Sequence, residues 1–262
     1  MHKQEFQQKY GPWAVVTGAS SGIGQHIALC LAQKGLHLIL VARSTELLEE
    51  TANQVRAYGV KAEVLVADFE QPHAVEEVLT ATSRHEVGLL VPAAGFGDAG
   101  LFADSNLALQ TAMVQVNITS VMALTHHFAR RMQAQRHGGI ILIASLLAFH
   151  GTPYNANYAA TKAYVQSLGE ALAIEFKGTG VDVLVSSPDP AETGFGQRAR
   201  VHMRRAMTAQ EVATSTLNAL GHSGTVLPGT LTNLLRGALM TAPRFLQVRI
   251  IGKIMKGFAQ KH

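Results

Sequence analysis

Tyr158 and Lys162 stand four residues apart, so on a helix their side chains share one face. A phenol with an ordinary pKa of about 10 is a poor base at neutral pH, but a neighbouring ammonium favours the phenolate and is expected to lower that value. The pair is then an acid/base unit able to hand a proton to an oxygen or take one from it. Ser145 adds a hydroxyl at the end of the apolar run 140–144. Alone, a Tyr–Lys pair carries no meaning, because such pairs are common on solvated helix faces. Its context decides.

Part of that context is Thr17-Gly18-Ala19-Ser20-Ser21-Gly22-Ile23-Gly24, directly after an apolar run and opening a helical stretch. Glycines at this spacing permit a tight turn and a close backbone approach to a pyrophosphate lying on the positive end of the helix. Gly18, Ser20, Ser21, Gly22, Ile23 and Gly24 are therefore candidate dinucleotide contacts. About 20 residues further on, where an NAD-binding chain usually places Asp or Glu on the adenosine ribose, the sequence reads Val41-Ala42-Arg43-Ser44. An acid there would repel a 2′-phosphate, whereas Arg43 can clamp one through paired charge-assisted hydrogen bonds. Arg43, with Ser44 beside it, predicts NADP(H).

These residues need a scaffold. Short Val/Ile/Leu-rich runs at 13–17, 36–42, 63–67, 87–91, 140–144 and 181–186 alternate with helical spacing at 44–58, 72–84 and 105–135. Repeated strand–helix–strand order predicts right-handed crossovers and an α/β doubly wound parallel sheet, a three-layer α/β/α Rossmann fold. Ligands of such sheets bind outside the carboxyl ends of the strands, where the glycine loop, Arg43 and Ser145 all fall.

Thr17 to Gly24, Asp68, Ala94-Gly95, Asn117, Ser145, Tyr158, Lys162, Pro188 and Thr193 stand in the order and spacing of the short-chain dehydrogenase/reductase family, which the chain resembles over about residues 12 to 228. The resemblance implies an oxidoreductase that exchanges hydride between a nicotinamide cofactor and a carbonyl or alcohol. It implies that Asp68, with Phe69, lies by the adenine, and that Ala94-Gly95 lies against the adenine ribose. Asn117 resembles the helix residue whose backbone holds a proton-relay water. Ser145 resembles the hydroxyl that binds the substrate oxygen, Tyr158 the proton donor and acceptor, and Lys162 also the holder of the nicotinamide ribose. Pro188 and Thr193 resemble the contacts to the nicotinamide end. Two positions depart from the family pattern. Pro92-Ala93 replaces two asparagines before Ala94-Gly95, and Asp189 replaces the glycine after Pro188. The run from Tyr10 to Thr17 resembles members that reduce steroid or long-chain 3-oxoacyl substrates, which makes a hydrophobic ketone the expected substrate.

Composition sets the outer bounds. With 47% hydrophobic and 15% charged residues, the 262-residue chain is too apolar for disorder and suits one large domain over 1–262. Cys30 is the single cysteine and residues 1–13 are polar, so a cytoplasmic location without a secretory signal is expected. Arg236 and Arg244 interrupt the most apolar C-terminal stretch, and no membrane-spanning helix is expected. The net charge of +4 belongs to the end of the chain: no acid follows Glu211, while Arg236, Arg244, Arg249, Lys253, Lys256 and Lys261 do. Residues 229–262 thus read as a basic amphipathic extension, suited to peripheral membrane contact or to packing on the substrate pocket or a subunit. The basic charge is not interleaved with aromatics as a nucleic-acid surface would be. His126 and His127 are adjacent on a helix and face different ways, so no metal site is expected. The helices over 105–135 and 154–177 are those that family members pair into homodimers or homotetramers. A non-catalytic NADP(H)-binding regulator is the rival reading, although it would have no need of Asn117, Ser145, Tyr158 and Lys162 together. An epimerase of the longer nucleotide-sugar branch would need more C-terminal chain.

Overall fold

The computed structural model describes residues 2–189, 191–192, 207–229 and 243–259. Its central sheet runs β3-β2-β1-β4-β5-β6-β9 with every pairing parallel. The strands are β1 (Trp13–Thr17), β2 (His37–Ala42), β3 (Ala62–Val66), β4 (Val87–Pro92), β5 (Gly138–Ile143), β6 (Val181–Ser186) and β9 (Thr225–Val226). Chain order reverses direction between β1 and β4, the switch point at which a doubly wound sheet opens a crevice. A separate two-stranded pairing joins β7 (Ala191–Glu192) to β8 (Met207–Thr208). β4 and β5 are buried at every position, because helices cover both faces of the sheet. One core lies under α2 (Gly22–Gln33), α3 (Thr45–Arg56) and α8 (Ala209–Ala219), the other beneath α6 (Ser120–Gln135) and α7 (Ala156–Glu175). The expected three-layer α/β/α architecture is present.

Three features escaped the sequence patterns. α1 (Lys3–Tyr10) is polar overall but buries Phe6 and Tyr10, each contributing roughly 1.5–3 kcal/mol of hydrophobic stabilisation. The Tyr10 hydroxyl donates to Asp182 at the start of β6, so the N-terminal segment is stapled across the sheet. β9 is only two residues long, too short for any periodicity to register. The single helix expected over 105–135 is instead α5 (Leu107–Val114), a π turn at Gln115–Thr119 and then α6. Its composite length and composition would suffice to cross a membrane, contrary to the sequence expectation that no segment qualifies. It is a layer helix here: Met113, Val116, Val121, Leu124, Phe128 and Met132 are buried, five of them in the core against the sheet.

Candidate active site

The glycine loop is shaped by close packing as well as by turn geometry. Gly18 and Gly22 have φ of 65° and 60°, the left-handed region where a Cβ is strained. A Cβ on Gly18 would come within 2.9 Å of the Ala94 backbone, and one on Gly24 would strike the Gly18 carbonyl oxygen. The Thr17 hydroxyl accepts from the Ala94 N–H at 3.0 Å, tying the β1 loop to the β4 loop across the switch point. Ser21 occupies the N-cap of α2 without a side-chain hydrogen bond to the first turn. The opening N–H groups of that helix are therefore not taken up by the capping hydroxyl, as a pyrophosphate site requires. The residues fit a dinucleotide. Ser20, Ser21 and Ile23 are half-buried along this edge.

At the carboxyl ends of β2 and β3 the placements are more mixed. Arg43 is exposed and its Nη1 donates to Glu70 Oε1 at 2.8 Å, with Asp68 Oδ1 4.0 Å away. The Ser44 hydroxyl accepts from the Leu47 N–H and donates to Glu46, so it serves first as the N-cap of α3. The Phe69 ring belongs to the core, leaving its backbone to border the site. Pro92 ends β4 opposite Thr17 in the β1 register, and this departure from the family pattern is accommodated within the strand.

The proposed chemical groups converge from three elements. Asn117, fully buried in the π turn, donates through Nδ2 to the Phe96 carbonyl at 2.9 Å and to Thr161 Oγ1 at 3.1 Å. Its Oδ1 accepts from the Phe96 N–H at 3.1 Å. It thus clamps the β4 loop to α7, and the π turn is a distortion of the kind that recurs at functional sites. Ser145 follows β5 and caps a short 3₁₀ turn, Leu146–Phe149, by accepting from the Leu147 N–H. Tyr158 lies in the first turn of α7 and shares a hydrogen bond with Ser145. Lys162, one turn on, donates to the Ile143 carbonyl at 2.8 Å and holds its Nζ 5.8 Å from the centre of the Tyr158 ring. A Cβ on Gly95 would sit 3.0 Å from Asn117 Oδ1 and 3.6 Å from Lys162 Nζ, so the cofactor-side loop and the acid/base pair adjoin. Pro188 is buried and its carbonyl accepts from the Leu146 N–H at 3.0 Å, locking the β6 loop beside Ser145. Thr193 lies outside the described residues.

Burial governs the electrostatics. The Tyr158 phenol is pushed above its ordinary value by desolvation, opposed by the Ser145 hydrogen bond. Lys162 is pushed down to about 8 by desolvation. The expected lowering of the phenol by the ammonium is therefore not what this site displays: the buried ammonium is itself disfavoured, and the loss of water around the phenol outweighs it. Asp189, at the edge of the site, is also raised by burial.

Sequence reasoning passed over Thr161, Glu70 and Gln247. Thr161 sits three residues after Tyr158 on the same helical face, a spacing that could have flagged it. Gln247, on α9 (Arg244–Ala259), pairs with His150 at 2.8 Å. A Cβ on Gly151 would sit 3.5 Å from Val248 and one on Gly252 3.1 Å from Pro153, so that helix runs alongside the loop between Ser145 and Tyr158. No local signal marks such a long-range pairing.

Residues 12–204 match the family model described as short chain dehydrogenase. The chain belongs to the short-chain dehydrogenase family. The 7beta-hydroxysteroid dehydrogenase of Collinsella aerofaciens is 32% identical over 231 residues, covering 85% of this chain and 88% of that protein. A solved 7beta-hydroxysteroid dehydrogenase, from work on its stereoselectivity, superimposes with a TM-score of 0.88 at 29% identity, covering 94% of this chain and 98% of that one. A short-chain dehydrogenase from Sphingobium yanoikuyae in complex with NADPH gives a TM-score of 0.79 at 27% identity, covering 89% and 97%. As a member of the family the protein is an oxidoreductase that uses a nicotinamide cofactor on the CH–OH or C=O group of a small molecule.

Proposed function

We propose that this short-chain dehydrogenase is an NADP(H)-dependent ketoreductase for a bulky hydrophobic ketone or secondary alcohol, of the size of a steroid ring system. The observation that carries the reading is the buried Tyr158 phenol, hydrogen-bonded to Ser145 and backed by Lys162. The nicotinamide supplies the hydride. Ser145 would orient the substrate oxygen, Tyr158 would donate its proton to that oxygen, and Lys162 would hold the ribose. A phenol raised by burial stays protonated at neutral pH, so Tyr158 would stand loaded as the donor when the reaction runs as a reduction. The hydroxysteroid dehydrogenases among the relatives support the substrate class, and the NADPH-bound relative, together with Arg43 and the missing acid at the end of β2, supports the cofactor. A non-catalytic binder would not need this buried acid/base constellation. NADPH consumption against a panel of ketosteroids and smaller ketones tests the reading, which fails if no member of the panel is turned over.

Cofactor choice gives a sharper measurement. Arg43→Asp removes a phosphate contact and adds a repulsive charge, so NADPH should bind more weakly and NADH no worse, shifting the ratio of their dissociation constants by about a hundredfold or more. Equal wild-type dissociation constants for the two cofactors would sink the assignment.

Two further surfaces bear on partners. Leu107, Leu109, Val114 and Met122 along the 107–135 helix and Ile174 on α7 are exposed, Leu107 at 75% and Ile174 at 73%, which supports pairing of these helices in a homodimer or homotetramer. On α9 the outward side carries Phe245, Leu246 and Ile250 together with Arg249, Lys253 and Lys256. That mixture suits peripheral contact of a cytoplasmic enzyme with an anionic bilayer. Replacing Arg249 and Lys253 by Glu should weaken sedimentation with phosphatidylserine vesicles by more than about tenfold, an effect that fades at high salt. Unchanged sedimentation would remove the membrane role.

A further inference from the structure

The acid that is missing at the end of β2 is supplied by the β3 turn, where Glu70 reaches across to Arg43. Arg43 Nη1 lies 2.8 Å from Glu70 Oε1 and 4.0 Å from Asp68 Oδ1, so one guanidinium is shared by two carboxylates and the cluster sums to one negative charge. The turn carrying both acids is well anchored. The Phe69 ring between them is buried in the core, the Glu70 N–H donates to Asp68 Oδ1 at 3.1 Å, and the Gln71 N–H donates to the Asp68 carbonyl at 2.8 Å. The Glu70 and Asp68 side chains are 36% and 38% exposed, and the Arg43 side chain between them is 59% exposed.

This arrangement treats the two nicotinamide dinucleotides differently. A phosphate on the ribose 2′ position must draw Arg43 away from Glu70 and then tolerate that carboxylate nearby. A 2′-hydroxyl meets no such conflict and can donate to the carboxylate. We propose that Glu70 is the residue that limits cofactor discrimination in this protein: it competes with the 2′-phosphate for Arg43 and keeps NADH binding within reach of NADPH binding. The inference rests on Arg43 as the phosphate contact.

Calorimetric titration of wild type, Glu70→Gln and Arg43→Gln with NADPH and with NADH tests it without any need for turnover. Glu70→Gln keeps the side chain's size and removes its charge at an exposed position, so folding is not at stake. Both side chains are well exposed, so removing the competition should tighten NADPH by about two- to fivefold while NADH binding stays level or weakens. The gain should shrink as added salt screens the carboxylate. If Glu70→Gln leaves the NADPH/NADH ratio unchanged while Arg43→Gln lowers it, the role of Glu70 is overturned and that of Arg43 stands. If Glu70→Gln weakens NADPH, Glu70 is a buttress for Arg43 and the competition is refuted. If Arg43→Gln leaves the ratio unchanged, the phosphate contact itself is wrong and the proposal falls with it.

Discussion

Tyr158→Phe should bind NADPH with nearly wild-type affinity and reduce ketones at least 10²- to 10⁴-fold more slowly, the range that general acid catalysis contributes, corresponding to about 3–5 kcal/mol of barrier. The phenylalanine ring keeps the packing of a side chain that is 9% exposed, so the site should not collapse. What disappears is the O–H that shares a hydrogen bond with Ser145 and that we propose as the proton donor to the substrate oxygen. Ser145 retains the Leu147 N–H as a partner, so the cost in stability should stay within about 1 kcal/mol. Single-turnover reduction with a saturating ketone, beside a titration of NADPH binding, separates the chemical step from affinity. A variant that turns over at near wild-type rate would show that another group delivers the proton. Because burial raises the phenol, the wild-type donor should remain loaded up to at least its ordinary value of about 10, and no loss of reduction rate through the neutral range should trace to Tyr158.

Lys162→Met should produce the opposite pairing of effects: a more stable protein that works far less well. Burial holds the ammonium down to about 8 against an ordinary 10.5. The unfolded chain therefore binds more protons than the folded chain between those values, and wild-type stability rises as pH increases through that window. Below about pH 8 the folded protein bears the full penalty, roughly 3 kcal/mol. Methionine removes that cost but leaves the Ile143 carbonyl without its donor, which returns about 1 kcal/mol. The variant should thus be more stable than wild type by about 2 kcal/mol at pH 7. The advantage should vanish toward pH 10.5. Urea unfolding at the two pH values reads this directly, and a variant less stable than wild type at pH 7 refutes it. NADPH affinity and turnover should both fall, because the ammonium is assigned both the ribose contact and the support of Tyr158. A gain of stability at the expense of function is what a buried charge kept for catalysis should yield.

Much of this site was legible in one dimension. The glycines from Gly18 to Gly24 announce their turn because φ and close backbone approach are local demands, and the alternation of apolar runs with helical spacing announces a parallel sheet because each period is local too. Ser145, Tyr158 and Lys162 could be assigned to a strand end and a helix face for the same reason, and Arg43 to the end of β2. Other features depend on what the chain folds against. α1 looked merely polar, since only the sheet beneath it gives Phe6 and Tyr10 somewhere to be buried. Asn117 clamps Phe96 and Thr161, neither a sequence neighbour, and Gln247 reaches His150 from the far end of the chain. Arg43 looked like an open phosphate ligand until the β3 turn brought Glu70 against it. The Tyr158 phenol was expected to fall beside an ammonium and instead rises, because desolvation depends on everything packed around a group and not on the residue four positions away. The sequence by itself determined the family and the order of the elements and named the candidate reacting groups, through local spacing, residue type and the family resemblance those carry. Only the tertiary structure decided which charges meet and how dry they are, because Coulomb energies and solvation follow distance in space, not distance along the chain.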